Sequence, residues 1–145
     1  CQIIGGGNII WPASLIHKLP ALALQAQQTF RYTGGIHAAS LFDQTGKMLL
    51  TREDIGRHNA VDKIVGSMLL ADMLPGTTNL LLVSGRAGFE LVQKTIIAGI
   101  PVMAAIGAPS SLAVELAATY QLSLLGFVRN ERFNIYTGTN RIKLD

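Results

Sequence analysis

Residues 79–86 read NLLLVSGR, a largely apolar run from Asn79 to Val83 closed by Ser84, Gly85 and Arg86. A short continuous apolar run bounded by a turn signal is the pattern of a strand buried on both faces, as in a parallel sheet. The rest of the chain keeps the matching rhythm: residues 89–98 read as helix, 101–106 as strand, 110–120 as helix and 122–128 as strand. Such alternation implies βαβ units. Each crossover lays its helix on a face of the sheet, so the carboxyl ends of the central strands share one edge, where ligands of open α/β sheets sit. Ser84, Gly85, Arg86, the GAPSS segment at 107–111 and Arg129 all fall on that edge. An arginine at the end of a buried strand has little structural reason to be there, and Ser84-Gly85-Arg86 before a helix has the form of an anion nest.

Upstream, Cys1 to Asn8 (CQIIGGGN) reads as a glycine-rich loop. It is not a dinucleotide fingerprint, which needs a preceding strand and a helix opening at its third glycine. Pro20 is expected in the first turn of a helix reaching about Phe30, with Leu22, Leu24, Ala26 and Phe30 available for burial and residues 14–19 leading in. Gly34 and Gly35 end it. Residues 36–42 and 47–51 then form a hairpin around the DQTG turn at 43–46. A helix over 58–72 places Val61, Ile64, Val65, Met68 and Leu69 on one face, and Pro75-Gly76 closes it. A closing strand lies within 132–142. The chain thus divides into a loop at 1–12 and a single α/β domain at 13–145.

The densest polar cluster is TREDIGRHNAVDK, Thr51 to Lys63. Gly56 supplies a turn just before a helix start, whose unpaired N–H groups and partial positive charge suit an anion. Arg57, His58 and Asn59 are candidates to touch such a ligand, while Asp62 and Lys63 are expected to pair with each other. The competing reading has Glu53 and Asp54 capping the helix and Arg57 pairing with Asp54 on a solvated surface.

Composition bounds the rest. Hydrophobic residues make up 49% and charged residues 14% of 145, which suits one folded domain and excludes a disordered or coiled-coil chain. No apolar run reaches the roughly 18 residues a membrane span needs. The net charge of +3 is dispersed, which argues against nucleic acid as a partner and fits a phosphate-bearing small ligand. Cys1 is the only cysteine, so neither an internal disulfide nor a multi-thiolate zinc site can form, and a reducing compartment fits. The histidines His17, His37 and His58 lack metal-binding spacing, so no metal is expected. The chain opens at Cys1 with neither Met nor signal peptide, which reads as a piece of a longer protein.

Taken together, TGGIHAASLFD (33–43), EDIGRHNAVDK (53–63), SGR (84–86), ELVQK (90–94), GAPSSLAVELA (107–117) and NIY (134–136) resemble the carboxyl-terminal part of the FdhD/NarQ family, the formate dehydrogenase accessory sulfurtransferases. The resemblance covers nearly all of the chain. It implies a three-layer α/β/α domain with a mixed sheet, similar to cytidine deaminases. It also implies a cytoplasmic, homodimeric protein that takes persulfide sulfur from a cysteine desulfurase and passes it to the bis(molybdopterin guanine dinucleotide) molybdenum cofactor of formate dehydrogenase. Deaminase chemistry does not carry over. His37-Ala38-Ala39 lacks the H-x-E glutamate, and Ser84-Gly85-Arg86 stands where a P-C-x-x-C segment belongs.

The family carries sulfur on a C-x-x-C loop followed by Gly. Cys1-Gln2-Ile3-Ile4-Gly5 matches its first cysteine and departs at Ile4. Cys1 is therefore the candidate persulfide carrier, against an incidental free cysteine. Gly34, Gly35 and His37 (or a His37 that only donates structurally), Arg57, His58, Asn59, Ser84, Gly85 and Arg86 are the candidate cofactor contacts. To these the resemblance adds Phe127, Val128, Arg129, Asn130, Glu131 and Arg132, with Asn134 and Tyr136, as groups able to stack on guanine and clamp phosphate. An edge strand with solvated charges competes for this last stretch. Trp11 either shields the sulfur path or is buried by a partner. The alternative function is a non-catalytic chaperone that holds the cofactor without moving sulfur; a zinc hydrolase is a third reading that requires tightly bound zinc.

Overall fold

A computed structural model of the chain describes residues 9–26, 37–129 and 132–144. Its elements are β1 (Trp11–Pro12), α1 (Ala13–Ala26), β2 (His37–Phe42), β3 (Met48–Asp54), α2 (Arg57–Leu70), β4 (Leu80–Val83), α3 (Phe89–Ile97), β5 (Val102–Ala105), α4 (Ser111–Thr119), β6 (Ser123–Gly126), β7 (Asn134–Thr137) and, after a 3-10 turn at Thr139–Arg141, β8 (Ile142–Lys143).

The apolar run of β4 sits in the interior of a six-stranded sheet of order β3-β2-β4-β5-β6-β7. β4, β5 and β6 are parallel, whereas β2 and β3 form an antiparallel hairpin on one side and β7 runs antiparallel on the other. The hairpin turn is held by its aspartate: Asp43 Oδ1 accepts from the Thr45 N–H (2.9 Å), the Thr45 hydroxyl (2.6 Å) and the Lys47 N–H (3.0 Å). Successive residues of the parallel strands point to opposite faces. Leu81, Val83, Met103 and Ala105 meet Val61, Ile64 and Met68 of α2, Leu91, Val92 and Ile96 of α3, and Ala113 and Ala117 of α4. Leu80, Leu82, Val102 and Ala104 meet Ile16, Leu19 and Ala23 of α1, with Trp11 and Ile142. A mixed sheet with helices on both faces is the three-layer arrangement expected.

Three local readings are corrected. The first helix spans Ala13–Ala26 and holds Pro20 in its interior instead of in its first turn. Its buried stripe is Ile16, Leu19 and Ala23, and Leu22 faces outward. The i, i+3, i+7 spacing of that stripe outweighs the proline signal, at the expense of the N–H that would bond the Ile16 carbonyl. The Leu24 and Ala26 side chains, and Phe30, lie outside the described residues. In α2, Leu69 is 67% exposed. It stands five residues beyond Ile64, about 140° round the helix, and so leaves the buried face. Trp11 is 1% exposed within its own domain's core, in one cluster with Phe42, Leu80 and Ile142, so its burial needs no partner; the sulfur loop it is expected to shield lies outside the described residues.

Because Leu81 is fully buried between sheet and helices, Leu81→Ala is expected to destabilise the chain by about 2–5 kcal/mol, read as a lowered urea midpoint with unchanged slope.

Candidate functional site

The parallel strands end together, and backbone hydrogen bonds fasten the loops that leave them. The Ile106 N–H donates to the Val83 carbonyl (3.0 Å), Gly107 N–H to Gly85 (3.0 Å), Ala87 N–H to Ala108 (3.2 Å), Ser110 N–H to Ala87 (3.0 Å) and Phe127 N–H to Gly107 (3.1 Å). This approach needs a bare backbone: a Cβ on Gly107 would lie 3.1 Å from the Gly85 carbonyl oxygen and 3.3 Å from Arg86 Cα. Between the loops opens a cleft of about 530 Å³, lined by Arg86–Gly88, Gly107–Ser110 and Phe127.

The cleft touches two helix starts that differ in kind. At α4, Ser110 Oγ accepts the Ala113 N–H (3.1 Å), so this end is capped by its own chain. At α3, Gly88 supplies no side-chain cap. First-turn N–H groups left without a side-chain acceptor, beside an exposed Arg86, give the α3 end groups that could hold an anion. Phe127 presents a half-exposed ring at the same cleft, from a backbone held at φ 52°, a region that costs a bulky residue strain.

Next to the cleft, β2 and α2 bring in the second group of candidates. Ser84 extends the β2–β4 pairing: its N–H donates to the Ala38 carbonyl (3.0 Å) and its Oγ accepts the Ala38 N–H (2.9 Å). Its hydroxyl proton could still be donated to an acceptor. His37 lies opposite Asp54 in the hairpin. Arg57 opens α2, and His58 Nδ1 sits 2.8 Å from Glu90 Oε2, tying the first turn of α2 to the first turn of α3. The backbones of Arg57 and Arg86 therefore share one edge.

Much of the polar cluster serves the fold. Asp54 Oδ2 accepts from the Gly56 N–H (2.9 Å) and from Asn59 Nδ2 (3.1 Å), and Oδ1 meets Lys63 Nζ at 2.9 Å. Lys63 also donates to the Glu53 carbonyl (2.8 Å). These partners, the Gly56 N–H first and then Lys63 and Asn59, push the Asp54 carboxyl down from 3.8 to about 2. The expected pairing of Asp62 with Lys63 does not form. Neighbours in sequence point about 100° apart on a helix. Asp62 instead pairs with Lys94 of α3.

The aromatic and cationic stretch is divided. Val128 is buried in the α1-side core, with its N–H on the Ala105 carbonyl (3.1 Å), so its side chain packs and does not face a ligand. The Arg129 N–H donates to the Arg132 carbonyl (2.8 Å), and Asn130 and Glu131 lie outside the described residues. Arg132, Asn134 and Tyr136 line a second hollow of about 790 Å³ with Ser14 and His17 of α1, where His17 also packs on Phe133. Cys1, Gly34 and Gly35 lie outside the described residues. Among those described, no three His, Cys, Asp or Glu side chains gather where a metal could be held, and no helix is long and apolar enough to cross a membrane. Glu90 is the polar group that reading the sequence passed over. Its signal is the pairing of helix positions: His58 and Asp62 stand second and sixth in α2, Glu90 and Lys94 second and sixth in α3.

The sequence and the fold both match known proteins. The FdhD/NarQ family pattern matches residues 6–143. The chain is 55% identical over 130 residues to the sulfur carrier protein FdhD of Streptomyces avermitilis, covering 90% of this chain and 46% of that protein. It is 51% identical over 137 residues to the protein of the same name from Thermoplasma volcanium, covering 94% and 49%. A crystal structure described as a formate dehydrogenase accessory protein, from Desulfotalea psychrophila, superposes with a TM-score of 0.89 at 30% identity, covering 98% of this chain and 59% of that one. The chain spans about half the length of the curated relatives it matches.

The Asp54 network sets a dependence on acid. A carboxyl whose folded-state pKa is depressed contributes stability above its ordinary range and loses it as pH falls through the folded value. The urea midpoint of the wild type should therefore exceed that of Asp54→Asn at about pH 6, and the gap should close as pH falls from about 3.8 toward 2.

Proposed function

The chain belongs to the FdhD/NarQ family, and on that premise we propose that it is a sulfurtransferase: it receives persulfide sulfur from a cysteine desulfurase and hands it to the bis(molybdopterin guanine dinucleotide) molybdenum cofactor destined for formate dehydrogenase. The observation that carries this reading is the cleft at the carboxyl edge, where an uncapped helix start and Arg86 meet the half-exposed Phe127 ring. A guanine dinucleotide offers what such a cleft can take, namely phosphate for the N–H groups and guanidinium and a flat base for the ring. The relatives' name, sulfur carrier protein, supports the sulfur half of the proposal.

In this reading Cys1 is the carrier. Its thiolate attacks the terminal sulfur of the desulfurase persulfide, the donor's S–S bond breaks, and the desulfurase cysteine leaves as thiolate while Cys1 keeps the S–SH group. One thiolate suffices for this exchange. Ile4 at the family's second cysteine position favours the alternative, a chaperone that holds the cofactor and transfers nothing.

The two readings part in one experiment. Incubation with a cysteine desulfurase and cysteine, followed by intact-mass analysis, should add one sulfur to the wild type and none to Cys1→Ala. Arg86→Ala should still be loaded but should bind GDP about tenfold more weakly by calorimetry. GDP binding with no sulfur gained on Cys1 would leave the chaperone, and absence of both would overturn the assignment of the site.

A further inference from the structure

We infer that Glu90 is a positioning residue: it turns the His58 imidazole so that Nε2, and not Nδ1, meets a ligand arriving at the carboxyl edge. This rests on the proposal that the edge receives a guanine nucleotide.

α2 and α3 are joined by two rungs, His58–Glu90 and Asp62–Lys94. In each helix the paired residues are four apart, about one turn, so the rungs repeat along helices that lie side by side in the same direction. The second rung joins two full charges, and between the helices Val61 and Ile64 share an apolar cluster with Leu91 and Val92. Attachment of α2 to α3 therefore does not require the first rung. What the first rung does alone is to orient a ring. A carboxylate only accepts, so the 2.8 Å contact places a proton on Nδ1 and leaves Nε2 on the far side of the imidazole. His58 is 37% exposed at the second position of α2, beside the start of α3 that forms one wall of the cleft. Without Glu90 the ring can turn, and its proton can sit on either nitrogen.

The two rungs make the experiment decisive, because removing either costs one bridge between the same helices. In long-range 1H–15N spectra of the labelled chain, the His58 proton should sit on Nδ1 in the wild type, in Asp62→Ala and in Glu90→Gln, whose amide oxygen still accepts. Glu90→Ala should lose that single tautomer. By calorimetry, Glu90→Ala should bind GDP about tenfold more weakly, Glu90→Gln should recover most of the affinity, and Asp62→Ala should match the wild type. Equal losses in Glu90→Ala and Asp62→Ala would reduce Glu90 to a helix tie and overturn the inference, as would a wild-type proton on Nε2. A wild type that binds no GDP would instead overturn the proposed cofactor site, and the tautomer comparison would then decide the role of Glu90 by itself.

Discussion

The structure depends on the burial of three short parallel strands on both faces. A strand with no solvent-facing side must be covered twice, and parallel neighbours can be linked only by crossovers long enough to carry a helix. β4, β5 and β6 meet this demand with α3 and α4 between them, and every residue of the three strands is buried. The consequence is directional. Each helix begins where a strand has just ended, so the chain delivers its strand ends and its helix N-termini to the same edge. Arg86, Gly88, Gly107, Ser110 and Phe127 come together from three separate loops because the sheet leaves them no other place to be.

That same edge shows how far polar density can mislead. The cluster from Thr51 to Lys63 is the richest in charge, yet its carboxylate at Asp54 is taken up by Gly56, Asn59 and Lys63, and Asp62 by Lys94. The network shapes the turn into α2 and presses α2 against α3. His58, in the first turn of α2, is held by a glutamate from the neighbouring helix. The sparser SGR segment, with no density to recommend it, lines the cleft through Arg86.

The parts that were legible in the sequence are those governed by local pattern. The unbroken apolar β4, the DQTG turn and the alternating strands and helices after residue 79 follow from periodicity and turn chemistry, and each was placed within a few residues. The parts that were not legible depend on which neighbour packs where. Pro20 signals a helix start, but the stripe of Ile16, Leu19 and Ala23 facing the sheet decides the element. Asp62 and Lys63 look like a pair on paper and diverge on the helix surface. The stretch after Phe127 reads as one recognition segment, whereas the return of β7 along β6 buries Val128 and sends Arg132, Asn134 and Tyr136 to a hollow shared with α1. Periodicity cannot see such a division, because it is made by a helix more than a hundred residues upstream.

The two helix starts beside the cleft also differ in what meets their first-turn N–H groups. Glu90 lies in the first turn of α3, where a carboxylate favours the helix dipole and would repel a phosphate. The His58 contact resolves the conflict by drawing that carboxylate toward α2, so the favourable interaction with the dipole is kept while its charge is matched by an N–H donor. At α4 the same orphan N–H groups are met by the Ser110 hydroxyl of the chain itself. One helix end is thus closed by a neutral cap, and the other is left open with its acidic residue tethered to one side. That asymmetry gives the cleft a direction, from Arg86 and the uncapped α3 start at one wall to the Phe127 ring beside Gly107 and Pro109 at the other.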